Sequence, residues 1–230
     1  MEKLVIEKAS ALCYFFKGQI IHLSILFFLG AITWHLAGPA LNQNNWLGVS
    51  DATWLFMGLV VVFLHQILVS IVFRLQLGWA LLTRLLGKLD LAVWAFIFSV
   101  LLIARPVSVM GLSRASQGTL NIGVTFSRIT ALILFGPAVY TLWSVLRYFG
   151  LIRAMGGDHF RIKYREMPLV KEGAFKFTDN AMYKFAFLIL WAISLYYRSY
   201  PGLLLAVFQH ISIWAFYYCT EKPDMELIFQ

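Results

Sequence analysis

Two short stretches near the end of the chain, EGAFKFTDNAMYKF (172–185) and CTEKPDMEL (219–227), hold many of the side chains able to do chemistry. They carry carboxylates at Asp179, Glu221, Asp224 and Glu226, the Asn180 amide, the Tyr183 phenol, and ammonium groups at Lys184 and Lys222. Acidic side chains suit ribose hydroxyls or an amino group, and free N–H donors at a helix start suit a carboxylate or phosphate. Aromatic faces such as Phe175, Phe177, Tyr183 and Tyr218 suit a cation or a flat base. For these groups to act together, the intervening chain must bring the two stretches to one place.

The composition dictates how. With 60% hydrophobic and 13% charged residues and a mean hydropathy of +0.76, too little polar surface remains to cover a soluble globule. The sequence is that of an integral membrane protein. Apolar runs of about 20 residues, enough for a helix to cross the hydrocarbon core, are read at 19–38, 52–73, 89–111, 126–149, 181–197 and 201–219. They are continuous rather than alternating, so helices are expected and a barrel is not. The expected fold is all-α: a polytopic bundle of about six transmembrane helices, one integral membrane domain over 1–230. Residues 1–149 are read as a four-span scaffold and 150–230 as a binding loop, a helical hairpin and a tail. Only Arg198 to Gly202 separates the last two spans, and Pro201 and Gly202 supply turn chemistry. Such a hairpin returns the chain to the face it left, so 172–183 and 219–227 meet at one edge under the 150–171 loop. A ligand with adenine, ribose, a sulfonium and an amino-acid end would engage all these groups. S-adenosylmethionine is such a ligand.

The net charge of +8 is a topology signal rather than a nucleic-acid signal. Lys3, Lys8 and Lys17 precede the first span, Arg74, Arg84 and Lys88 follow the second, and Arg153, Arg161, Lys163, Arg165, Lys171 and Lys176 fill 150–180. By the positive-inside rule both termini and the site face are cytoplasmic. Cys13 and Cys219 then lie near the reducing side, where a structural disulfide is not expected. No cleavable signal is read at the N-terminus, and residues 1–17 suit an interfacial helix with Leu4, Val5, Ala9, Leu12 and Phe16 on one side.

The motifs sharpen this. GAFKFTDNAMYKF (173–185) resembles the segment of phospholipid N-methyltransferases and isoprenylcysteine carboxyl methyltransferases in which a Gly, an aromatic and a short polar triplet open the penultimate helix. TEKPDMELIF (220–229) resembles the Glu-rich segment after the last helix, and GGDHF (156–160) looks like the Gly-Asp-Tyr-Phe stretch of phosphatidylethanolamine-methylating enzymes. The resemblance covers about 150–229. Ala181 stands where the families have Pro, and Thr220-Glu221 or Glu221-Lys222 where they have paired Glu. The resemblance implies a methyltransferase using S-adenosylmethionine without a metal. It implies Gly157, Asp158, Gly173, Phe175, Asp179, Asn180, Met182, Tyr183, Glu221 and Lys222 as cofactor-binding, with Tyr183 and Asn180 as catalytic. The acceptor is expected to be a membrane lipid or other lipid-soluble molecule: a phospholipid amine, with a prenylated cysteine carboxylate or small thiol as alternatives.

Plainer roles stand beside these. Asp179-Asn180 suits a helix N-cap, Gly156-Gly157-Asp158 a turn, and Glu221 to Glu226 a solvated tail. His65-Gln66 suits an interhelical hydrogen bond, and Arg105, placed near the outer end of span three beside Pro106, a snorkelling side chain or a partner for a carbonyl freed by the kink. His22, His35 and His210 lack ligand spacing. A non-catalytic scaffold that kept the fold, and less so a small transporter, remain the rival classes.

Overall fold

The computed structural model describes residues 8–229. Helix α1 (Lys8–Phe16) turns through Gly18 into α2 (Gln19–Ala37). A two-residue hairpin of β1 (Asn45–Trp46) and β2 (Val49–Ser50) leads to α3 (Asp51–Trp79), whose start is capped by the Ser50 hydroxyl accepting from the Thr53 N–H at 3.1 Å. Short α4 (Leu81–Leu86) precedes α5 (Asp90–Ala115), and α6 (Val124–Ser144) follows. The single turns α7 (Leu151–Ala154), α8 (Gly157–Phe160) and α9 (Ile162–Arg165) form the loop before α10 (Leu188–Tyr196), α11 (Tyr200–Phe216) and α12 (Lys222–Ile228).

Among the described residues, five helical stretches are long and apolar enough to cross a membrane: Ala11–Ala40, Asp51–Trp79, Leu81–Ala115, Val124–Phe149 and Tyr200–Ile228. The architecture is the expected helical membrane bundle, with one change in the number of full spans. The run expected to cross at 181–197 is the shorter apolar helix Met182–Tyr196, roughly 22 Å at the α-helical rise. That is less than the hydrocarbon thickness of about 30 Å.

Leu26, Leu55, Val62, Val109, Leu112, Leu205 and Phe208 knit α2, α3, α5 and α11 into one core. A second cluster, with Phe73, Trp94, Phe160 and Phe216, ties the 150–171 loop to α3, α5 and α11. The hairpin between α10 and α11 forms as expected, yet its cap is Ser199, whose hydroxyl accepts from the Gly202 N–H at 2.8 Å and bonds the Ser116 hydroxyl at 2.7 Å. In the N-terminal stretch, Leu4 and Val5 lie outside the described residues. On α1, Ala11 is buried against Leu77 of α3 while Leu12 and Phe16 point outward.

Candidate functional site

One end of the bundle departs from regular helix three times. The last turn of α6 is a π turn (Val145–Phe149), α10 is entered through another (Met182–Ala186), and α11 leaves through a third (Tyr217–Glu221). A π turn widens the helix and unsettles its hydrogen-bond ladder, and such turns gather at functional sites. The freed Tyr183 carbonyl illustrates this, because it accepts from His210 Nε2 at 2.7 Å. Trp191 Nε1–H donates to His210 Nδ1 at 3.1 Å, which fixes the proton of this imidazole on Nε2.

The loop above this end is firmly seated. Phe160 is buried among Phe73, Trp94 and Phe216, Trp94 Nε1–H donates to the Met155 carbonyl at 2.8 Å, and Arg161 pairs with the buried Asp90. Gly157 lets the backbone pass close to the Ile152 carbonyl and the Tyr164 ring, where a Cβ would collide. Gly173 has φ +58 and lies against Ser144, whose hydroxyl accepts from the Ala174 N–H at 3.0 Å. Phe175, beside it, is buried and stacks on Phe149 at 5.1 Å, and the Arg153 guanidinium covers Phe149 at 5.0 Å.

Within this frame the hydroxyl of Tyr183 donates to Glu221, joining the start of α10 to the end of α11 across 38 residues. The Tyr183 ring meets Tyr217 at 5.7 Å and Trp214 at 6.0 Å, both edge-on. Asn180 Nδ2 reaches the Tyr217 hydroxyl at 3.5 Å. Glu221, Asp158 and Asp224 are electrostatic neighbours, so three carboxylates share one small region. They are matched unequally. Asp224 is buried, accepts from the Tyr14 hydroxyl (2.8 Å) and His159 Nε2 (3.3 Å), and is ion-paired with Arg74 Nε at 3.0 Å. Asp158 faces Arg153 at 3.8 Å, and its buried Oδ1 has no hydrogen-bond donor. Burial raises its carboxyl above the ordinary value, against the opposing pull of Arg153, His159 and Arg165. Among the described residues, Glu221 has the Tyr183 hydroxyl and no cation within salt-bridge distance.

Of the residues expected at the site, Asp158, Asn180, Tyr183 and Glu221 are thus brought together. Gly157, Gly173 and Phe175 shape and pack the loop, and Met182 packs with Val145, Ala174 and Ala181. Asp179 and Lys222 stand apart. Asp179 is exposed and bonds Lys171 Nζ at 2.6 Å, so the α10 entry has no side-chain cap. Lys222 is turned to the surface, 3.9 Å from Glu226. Phe177 and Tyr218, expected as aromatic faces, are exposed, and the rings set against Tyr183 are those of Trp214 and Tyr217. The tail is not solvated throughout, because Asp224 is buried. Gln66 makes the expected interhelical bonds, to His22 at 2.8 Å and Ser212 at 2.9 Å, whereas His65 makes none. Arg105 does not snorkel but is buried, bonded to Gln209.

Beside the site an apolar groove of about 400 Å³ opens between α6, α10 and α11, lined by Leu134, Leu188, Trp191, Leu203 and His210. It touches the Tyr183 segment through His210. Among the described residues no group of three His, Cys, Asp or Glu side chains is placed to hold a metal ion.

Comparison with known proteins adds one finding. Residues 126–230 match the phospholipid methyltransferase family, a segment that begins within α6 and contains Asp158, Asn180, Tyr183 and Glu221. No curated protein and no solved structure matches the chain. The family match together with the five long apolar helices makes the protein a membrane methyltransferase.

Proposed function

We propose that this membrane methyltransferase uses S-adenosylmethionine to methylate a phospholipid amine, with the site end of the bundle facing the cytoplasm. The observation that carries the reading is the Tyr183–Glu221 hydrogen bond, set beside Asp158 and closed by the seated loop. The residues fit the cofactor. A carboxylate without a cation at Glu221 and an orphaned buried oxygen at Asp158 Oδ1 await donors, which ribose hydroxyls and an ammonium group provide. The rings of Tyr183, Tyr217 and Trp214 surround a place suited to a positive centre.

When bound, S-adenosylmethionine supplies an electrophilic methyl group on a positively charged sulfur. Glu221 and Asp158 hold its hydroxyl and ammonium groups, Asn180 its amino-acid end, and Tyr183 lines the transfer site while orienting Glu221. The α7–α9 loop excludes water. Holding two reactants aligned in a dry site accounts for most of what such a displacement needs. The groove between α6, α10 and α11 has the volume of a small-molecule pocket and gives an acyl-chain-bearing acceptor a lateral path.

The test is equilibrium binding of S-adenosylmethionine to purified protein in nanodiscs, followed by transfer of labelled methyl to phospholipid amines, prenylated cysteine peptides and thiols. Saturable binding, weakened by Glu221→Gln and Tyr183→Ala, with label appearing in the phospholipid is the expected result. Folded wild-type protein that binds no cofactor ends this reading.

A further inference from the structure

Three arginines are buried inside the described structure, and two of them face carboxylates. Arg74 pairs with Asp224 and Arg153 with Asp158. The third, Arg105 on α5, is 2% exposed and has no carboxylate partner among the described residues. Its Nε donates to Gln209 Oε1 and its Nη2 to the Gln209 carbonyl, each at 3.0 Å, while Nη1 has no acceptor. The guanidinium lies 4.9 Å from the centre of the Phe187 ring. His65 on α3 is 4% exposed and neither of its ring nitrogens is hydrogen-bonded. Arg105 interacts electrostatically with both His65 and Tyr183.

A buried charge is normally neutralised or fully bonded, because its desolvation is costly. Here a full positive charge, a nitrogen without an acceptor and an unbonded imidazole lie within electrostatic range of one another, and the described residues provide no carboxylate for them. We infer that Arg105 and His65 receive an anionic oxygen group of the substrate, the phosphodiester of the phospholipid acceptor. This rests on the phospholipid reading above and assigns a part of the site to the stretch that precedes the family match.

The direction of the helices supports that placement. Side chains on a helix lean toward its N-terminus. Arg105 therefore leans toward the Asp90 end of α5, which is the end held by Arg161 of the site loop. Glu221, at the far end of the α11 stretch, leans back toward Gln209. Tyr183 links the two, hydrogen-bonded to Glu221 and within electrostatic range of Arg105. A headgroup bound there puts its amine at Tyr183, facing the cofactor held by Glu221 and Asp158, and its phosphate deeper, beside Arg105, with the acyl chains deeper still. That is the order in which a phospholipid presents these groups in a membrane leaflet. Guanidinium is well matched to phosphate oxygens.

The experiment measures equilibrium binding of a short-chain phosphatidylethanolamine to the full chain in a phosphate-free glycoside detergent, read from the lipid phosphorus resonance with cofactor absent. S-adenosylmethionine binding is measured in parallel. Arg105→Gln is expected to weaken lipid binding by about tenfold or more, His65→Gln by less, and both to leave cofactor affinity unchanged. A folded Arg105→Gln protein with wild-type lipid affinity overturns the inference. So does a variant that keeps lipid affinity but loses cofactor affinity, which gives Arg105 to the cofactor's carboxylate instead. Should Arg105→Gln not fold, His65→Gln decides, since His65 makes no internal hydrogen bond that the change would break; unchanged lipid affinity there removes the site. Lipid binding that depends on Arg105 in a protein that never binds S-adenosylmethionine supports this site while ending the cofactor reading.

Discussion

Glu221 and Asp224 stand three residues apart on the same stretch of chain, yet the protein treats them in opposite ways. Asp224 is buried among partners from three distant elements: hydrogen bonds from Tyr14 of α1 and His159 of the loop, and an ion pair with Arg74 of α3. Among the described residues, Glu221 receives only the Tyr183 hydroxyl, and it is partly open. A carboxylate with its hydrogen-bonding capacity met by protein has little left to offer a ligand. One with spare lone pairs beside an orphaned neighbour, Asp158, has much. The difference separates a carboxylate that fastens the fold from one with hydrogen-bonding capacity to spare, at a spacing of less than one helical turn.

The largest effect is expected from unlocking the fastener. Asp224→Ala leaves Arg74 buried without its anion, and breaking such a pair costs about 3–5 kcal/mol. Thermal unfolding in detergent should show a severely destabilised protein, or none that accumulates. Glu221→Gln should do the reverse, keeping the melting temperature near wild type while weakening S-adenosylmethionine binding by roughly 10–100-fold, the range for a hydrogen bond to a charged group. If both variants fall equally in stability, the contrast between the two residues is wrong.

Asp158→Asn sharpens the comparison from the loop side. Burial raises the Asp158 carboxyl, so the folded state holds that proton more tightly than the unfolded chain does. The stability linked to it is fully present below the unfolded-state value and is lost as pH rises through the higher folded-state value. Asn is neutral throughout and escapes that loss. Melting temperatures compared between mildly acidic and neutral pH should depend less on pH in Asp158→Asn than in wild type. At neutral pH the variant should be slightly the more stable, while binding cofactor more weakly. A variant less stable at neutral pH would mean that the Arg153 pair outweighs burial.

What could be read without coordinates follows from the range of the interactions involved. Hydropathy located the membrane helices because each run is long enough by itself to satisfy lipid, and the short connection at Arg198–Gly202 forces the hairpin. The meeting of Asp158, Asn180, Tyr183 and Glu221 was legible through motif resemblance and hairpin geometry. The π turns were not, since an apolar run looks the same whether its ladder is regular or widened. Nor does Asp224 differ from Glu221 on paper. Its donors lie 65 to 210 residues away, and Arg105 finds Gln209 at a separation of 104. The Ser199 cap, by contrast, is a local feature: a Ser two residues before Pro201 is an N-cap signal in the sequence itself.

That cap marks the far end of the hairpin, where the comparison can be tested with a smaller change. Ser199→Ala removes the acceptor for the Gly202 N–H and the partner of the Ser116 hydroxyl, and a lost cap of this kind costs about 1 kcal/mol. The melting temperature should fall modestly. Cofactor affinity should hold, because Glu221 and Tyr183 are positioned by π turns and loop contacts at the opposite end. Smaller still is Asp179→Asn. Its pair with Lys171 is exposed on both sides, and exposed pairs contribute little. Its carboxylate also lies outside the group formed by Asp158, Asn180, Tyr183 and Glu221. Neither stability nor S-adenosylmethionine affinity should move. A clear loss of affinity in Asp179→Asn would instead draw the α10 entry into the pocket, and the boundary between fastening and binding carboxylates would have to be redrawn to include an exposed one.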